Sequence, residues 1–246
     1  MGIKKTIIRK IEKINHKFSK KLIIKNKRII VTGSNSGIGL ELTKKLISTN
    51  SIISTVNKKK NEVDKIKNEN LKILEEDFQN ENLTENFCFE VKEFKPNIII
   101  NCAAIFGPEE QSLENLHISE FKKILNINFF SPLKLVQLSL NGKQLEQIVN
   151  ISSEMGSITL NNMGGYYYYR LSKTLLNSFS KNLSNDIKSK NINIFCVHPG
   201  SVKTKMNSAG VISPDQSAQK IINIINENDR NLSGKFIDIN KKILEW

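Results

Sequence analysis

Metal-binding and disulfide patterns are absent from this chain. Its three cysteines, Cys88, Cys102 and Cys196, are scattered and each sits in apolar surroundings. They match no zinc spacing, so reduced, buried thiols in a cytoplasmic protein are the expectation. The three histidines, His16, His117 and His198, form no ligand set. Long apolar runs are also missing. None approaches the roughly 20 residues that a membrane-spanning helix needs. The N-terminus shows neither the continuous apolar stretch nor the small-residue cleavage site of a signal peptide. Acids are few, 24 against 37 Lys and Arg, for a formal charge of +13. That excess would suggest a nucleic-acid partner if it were spread over the fold. Residues 1–28 hold eleven Lys/Arg against Glu12 alone, which is +10 and leaves +3 for the remainder. The main body is nearly balanced, and nucleic acid is not expected as its partner.

The basic segment is patterned. Ile3, Ile7, Ile11, Ile14, Phe18 and Leu22 recur at steps of three and four with lysines between them. This predicts a basic amphipathic helix over residues 1–26, ahead of a single domain at 27–246. Packing against protein is the preferred reading. Peripheral contact of residues 1–25 with an anionic membrane surface is the alternative. The start, Met1-Gly2-Ile3-Lys4-Lys5-Thr6, also fits a myristoylation pattern.

From residue 28 onward, short apolar runs alternate with helical spacing. The runs lie at 28–32, 51–56, 71–75, 97–101, 146–151, 192–197 and 235–239. That alternation predicts an α/β fold, a parallel sheet of about seven strands with helices on both faces. After the first run comes Thr32-Gly33-Ser34-Asn35-Ser36-Gly37-Ile38-Gly39, then Leu40, Leu42, Leu46 and Ile47 at helical spacing. A strand, a glycine turn and a helix N-terminus form an anion site, because the first-turn amides point outward and glycine lets a pyrophosphate approach the backbone.

The four tyrosines stand together at Tyr166 to Tyr169, and only the last has a lysine four residues on, Lys173. On a helix that spacing places phenol and ammonium on one face. A neighbouring positive charge is expected to lower the phenol's pKa and fit it for proton exchange with a carbonyl or alcohol. Tyr166 to Tyr168 either line the mouth of such a site or cap the helix.

These segments together resemble the short-chain dehydrogenases/reductases. The resemblance rests on the glycine turn, Asn101-Cys102-Ala103-Ala104, Asn128, Ser152-Ser153, Tyr169-x-x-Ser172-Lys173 and Pro199-Gly200, in order, and covers about residues 27–246. Within the family it is most similar to the C-signal- and Sniffer-like carbonyl reductases, on Ser152 to Ile158, His198 to Thr204 and the ending from Ser233 to Trp246. It implies a Rossmann-type doubly wound sheet of order 3-2-1-4-5-6-7 and hydride transfer between NADP(H) and a carbonyl or alcohol. The implied catalytic residues are Tyr169 as acid or base, Lys173, Ser153 (or Ser152) holding the substrate oxygen, and Asn128 positioning a water. The implied cofactor contacts are Gly33, Asn35, Ser36, Ile38 and Gly39 at the turn, and Asn57 and Lys58 at the ribose. Asp77 and Phe78 would lie at adenine, Asn101 and Ala103 along the crevice, Tyr169 and Lys173 at the nicotinamide ribose, and Pro199, Gly200, Val202 and Thr204 at the nicotinamide.

Several features depart from the family pattern. Asn57 stands where the family has arginine, but no acid follows the second strand and Lys58-Lys59-Lys60 do, which favours NADP over NAD. Ala104 replaces the last glycine of the Asn101 motif. Ser153 and Tyr169 are about three residues further apart than is usual, with 160–165 as the segment that loops out. The resemblance also implies a homodimer or homotetramer paired through helices near 119–140 and 166–187. Leu171, Leu175, Leu176, Phe179 and Leu183 supply the apolar surface. No metal is expected, since nicotinamide carries hydride chemistry. The alternative to an enzyme is a cofactor-binding signalling or scaffold protein with little turnover.

Overall fold

The computed structural model describes residues 24–57 and 62–246. The expected basic helix up to residue 23, and Lys58, Lys59 and Lys60, lie outside the described residues. Each expected apolar run is a strand: β1 Arg28–Val31, β2 Ser51–Val56, β3 Leu71–Glu75, β4 Ile98–Asn101, β5 Gln147–Ile151, β6 Asn193–His198 and β7 Phe236–Asp238. They form one sheet of order 3-2-1-4-5-6-7, every pairing parallel. The helices are α1 Gly37–Leu46, α2 Glu85–Phe94, α3 Ile118–Leu125, α4 Ser131–Ser139, α5 Tyr167–Asp186 and α6 Pro214–Glu227. A π-helical turn, Asn126–Phe130, joins α3 to α4.

The central strands are nearly all isoleucine and valine because both faces of the sheet are covered. Successive side chains point to opposite faces. Ile29 and Val31 therefore join Leu42 and Leu46 of α1 and Ile221 and Ile225 of α6 in one core. Ile30 joins Phe87 and Val91 of α2, Leu135 and Val136 of α4 and Leu183 of α5 in the other. Each such side chain, fully buried, contributes about 1.5–3 kcal/mol. Ile24, expected just outside the domain, packs into the first core. Its carbonyl accepts bonds from Thr49 and Asn50, and its N–H donates to Asn226.

Helix termini are served unequally. Ser213 and Gln216 close a capping box on α6, and Thr84 caps α2. At the start of α1, Ser36 makes no side-chain cap and no acid stands in the first turn. Those amides face the crevice beyond the strand ends, where β2 and β4 flank β1 and the winding reverses.

Thr32 holds that crevice together. It is buried, and its Oγ1 accepts from the Cys102 and Ala103 amides at 2.9 and 3.0 Å, which locks the ends of β1 and β4. Thr32→Val keeps the shape and leaves two half-buried donors unmet. Urea unfolding should show a loss of about 1–3 kcal/mol with an unchanged denaturant slope.

Candidate active site

A cleft of about 750 Å³ opens along the C-terminal ends of the strands. Its floor is the glycine turn. Gly33 has φ +73°, and a Cβ there would lie 2.7 Å from the Ala103 Cα. Only glycine fits this approach of two chains. Asn35, Ser36, Ile38 and Gly39 line the same end. Asn35 Nδ2 donates to Asn57 Oδ1 at 2.7 Å, and the Asn57 N–H returns a bond to Asn35 Oδ1 at 3.2 Å. This amide pair ties the glycine turn to the end of β2. Asp77 and Phe78 lie beside it in the cleft wall. Asp77 Oδ1 accepts from Gln79 N–H, while Phe78 meets Phe87 edge-on and is largely core. Ala103, Pro199, Gly200, Val202 and Thr204 form the walls further along.

The far end holds Ser153, Tyr169 and Lys173. Lys173 is buried and donates to the Ile151 carbonyl at 2.8 Å. Gly156 permits this depth, since a Cβ there would meet Lys173 Cβ at 2.8 Å. Lys173 Nζ lies 5.7 Å from the centre of the Tyr169 ring. The Ser153 hydroxyl stands by the Tyr169 phenol and favours its ionised form. Ser152 Oγ is instead spent on Asn177 Oδ1 at 2.7 Å.

The electrostatics differ from the sequence expectation. Burial disfavours charge on both groups. It pushes the Tyr169 phenol up to about 12, more than the Ser153 hydroxyl offsets. It also pulls the Lys173 ammonium down to about 8. In the protein alone, removal from water therefore sets the phenol above its ordinary value and not below it. Cys102, partly exposed at the cleft wall and not buried as expected, has its thiol pushed up to about 12 by the protein around it.

Two expected residues stand behind the cleft. Asn101 is buried in β4, donating to Asn150 Oδ1 at 2.7 Å. Asn128 is fully buried. Its amide clasps Ile105 N–H and C=O at 2.9 Å each and donates to Ser172 Oγ at 2.9 Å. Lys58 lies outside the described residues. Of the other tyrosines, Tyr166 lines the cleft, whereas Tyr168 is buried and bonds to His117 N–H and Asn115 C=O.

Several lining residues go beyond those the sequence assigns to the site: Phe106, Met155, Arg170 and His198. Phe106 packs at 4.9 Å from the Tyr169 ring and 5.5 Å from Tyr166. Its only signal is its position just after the Asn101 motif. His198 Nδ1 accepts from Glu154 N–H at 3.3 Å. Burial lowers its pKa against the pull of Glu154 and Asp238.

A family model described as short chain dehydrogenase matches residues 27–212. The chain belongs to the short-chain dehydrogenase family. It is thereby an NAD(P)-dependent oxidoreductase. It is 28% identical to C-signal of Myxococcus xanthus over 155 residues, 61% of this chain and 92% of that protein. Carbonyl reductase Sniffer of Drosophila melanogaster superposes with a TM-score of 0.81 at 27% identity, covering 91% of this chain and all of Sniffer. The Sniffer protein of Caenorhabditis elegans gives 0.78 at 25% identity over the same share.

The residues present fit a dinucleotide. The uncapped first turn of α1 offers amides without a competing carboxylate. Among the described residues the walls place an amide pair at one end and a buried ammonium at the other. No described helix is long and apolar enough to cross a membrane. Among the described residues no cluster of three or more His, Cys, Asp or Glu could hold a metal.

Lys173 leaves a signature in stability. Its folded pKa lies below the ordinary 10.5, so between about 8 and 10.5 the unfolded chain binds the extra proton and stability rises with pH. In the nucleotide-free protein, the melting temperature of wild type relative to Lys173→Met should climb across that window. A constant difference would contradict the burial.

Proposed function

We propose that this short-chain dehydrogenase reduces a carbonyl compound with NADP(H), or oxidises the matching alcohol. The observation that carries the reading is the convergence of the Tyr169 phenol, the Ser153 hydroxyl and the Lys173 ammonium on one wall of the cleft, with the glycine turn at its other end. Bound nicotinamide would supply or accept the hydride. Tyr169 then gives the substrate oxygen its proton. A phenol held up to about 12 is fully protonated near neutral pH, the form an acid requires. Ser153 holds the same oxygen and meets its developing charge. Lys173 has three N–H donors, one of them committed to Ile151 C=O, and would hold ribose hydroxyls and attract the phenolate left behind. Its weakened hold on its own proton makes it a partner for returning one to Tyr169.

Asn128 belongs to this group through its backbone. Its side-chain amide fixes Ile105 and Ser172. Pro132, four residues on, has no N–H to give to the Asn128 carbonyl in α-helical register. That carbonyl is the atom we assign to a relay water. The cofactor contacts are those lining the cleft, with Asn101 acting from behind through Asn150.

The preference for NADP(H) rests on the end of β2, where Asn57 brings no carboxylate and Lys58 follows. The fold itself is used with both cofactors. A chicken fatty liver carbonyl reductase of this fold has NADPH bound, and a 4-hydroxyisoleucine dehydrogenase of the same fold is complexed with NADH. We also propose that the chain pairs through its helices and that the basic segment packs on protein. Leu171 and Leu175 are exposed on α5 and available to a partner helix, whereas Leu176 and Leu183 are core.

Tyr169→Phe should abolish reduction of 4-nitrobenzaldehyde by NADPH and keep the nicotinamide fluorescence change on binding. Full activity in that variant would refute the assignment, and its three tyrosine neighbours changed to Phe serve as controls. By titration, NADPH should bind more tightly than NADH, and Lys58→Ala with Lys59→Ala should weaken NADPH more. Equal affinities in the unmodified protein would overturn the preference.

A further inference from the structure

The helix that carries Tyr169 and Lys173 begins without a cap of its own. Tyr166, at the N-cap position, is left-handed with φ 51° and makes no side-chain bond to the first turn. A first-turn amide without a partner is costly when buried, and an N-cap side chain normally serves the second or third one. Here the third belongs to Tyr169 itself.

A side chain from a distant loop takes that amide. Gln111 Oε1 accepts the Tyr169 N–H at 3.2 Å, from a residue that is 3% exposed. The other end of the same amide group donates to the Phe106 and Pro108 carbonyls, both at 2.9 Å. The backbone carbonyl of Gln111 accepts from Tyr167 N–H at 3.5 Å. One side chain thus fastens the turn 106–111 on itself and fastens that turn to the start of α5. The Phe106 ring it holds is the one packed on Tyr169 and Tyr166.

We propose that Gln111 is a positioning residue for Tyr169, capping α5 at the tyrosine's own amide and holding the Phe106 wall of the substrate cleft against the tyrosine ring. The inference rests on the reading of Tyr169 as proton donor. Gln111 lies outside the cleft lining. Its effect is on where the phenol sits when the carbonyl arrives. Displacement of a reacting group by about 1 Å costs up to a hundredfold in rate.

Two variants separate positioning from folding. Gln111→Met is similar in length and removes the acceptor and both donors. Gln111→Glu keeps an acceptor for the Tyr169 amide. With 4-nitrobenzaldehyde and NADPH, kcat should fall about ten- to a hundredfold in Gln111→Met and less in Gln111→Glu. The affinity for NADPH, by nicotinamide fluorescence, should stay within about twofold of wild type in both, as expected for a group remote from the cofactor. The solvent deuterium isotope effect on kcat should grow in Gln111→Met, because the proton step slows. Hydrogen exchange, which needs no substrate, should show the Tyr169 amide losing protection in Gln111→Met and retaining it in Gln111→Glu. A Gln111→Met enzyme with unchanged kcat overturns the proposal. So does a loss of NADPH binding equal to the loss of turnover, which would make Gln111 a residue of the fold alone. Tyr169→Phe, run beside them, tells the two readings apart. If it is active, the donor assignment is wrong. If it is inactive while Gln111→Met is fully active, the positioning role alone is wrong.

Discussion

A lysine ammonium held out of water between β5 and α5 is the interaction on which the site depends. Lys173 is buried, bonded to the Ile151 carbonyl and set beside the Tyr169 ring. Desolvation is severe enough to bring its pKa to about 8, so the surroundings must be built to accept it. Gly156 supplies the space. Asn177 Nδ2 and Thr174 Oγ1 donate to the Gly156 carbonyl and hold that turn against α5. The turn begins at Ser153, so the contact that buries the lysine also brings the serine hydroxyl to the phenol.

The opposite end of the cleft is governed by backbone donors rather than by a side-chain charge. α1 leaves its first turn uncapped, in contrast to the capping box that closes α6. A helix end left in this way lowers stability unless an anion or water takes the amides. Below the turn, hydroxyls replace apolar packing. Ser34, Thr43 and Ser54 form a buried chain with oxygen separations of 3.1 and 2.9 Å. Together with Thr32 on the β4 side, they fix the turn without occupying the space above it.

Parallel pairing is what brings the two ends together. All strands run the same way, so every loop that follows a strand emerges on one edge of the sheet. The reversal of winding at β1 and β4 opens a crevice there. The turns after β1, β4, β5 and β6 each contribute to its walls. The segment after β4 is the least regular of these. It is tied down by Asn128 at Ile105 and by Tyr168 at Asn115 and His117, and is fastened on itself by Gln111 at Phe106.

The fold was legible in the sequence because it is written in local terms. Apolar runs such as Arg28 to Val31 and Ile98 to Asn101, separated by helical spacing, are enough to specify a doubly wound sheet and its order once the family is recognised. Tyr169, Lys173, Ser153 and the glycine turn were legible because their spacing reflects one helix face or one tight turn. What the sequence alone could not decide is dielectric and direction. The four-residue spacing implied a phenol eased by its lysine, but only the packed structure shows burial pushing the phenol up to about 12. Asn128 was readable as an important amide, yet only the tertiary structure turns its side chain away from the cleft and onto Ile105 and Ser172. Gln111 and Phe106 carry no motif, since their contacts with Tyr169 span 58 and 63 residues of chain and exist only once the turn after β4 meets the start of α5. Spacing along a chain fixes which groups share an element. Solvent exclusion and contacts between elements are properties of the folded packing, and they decided what those groups can do.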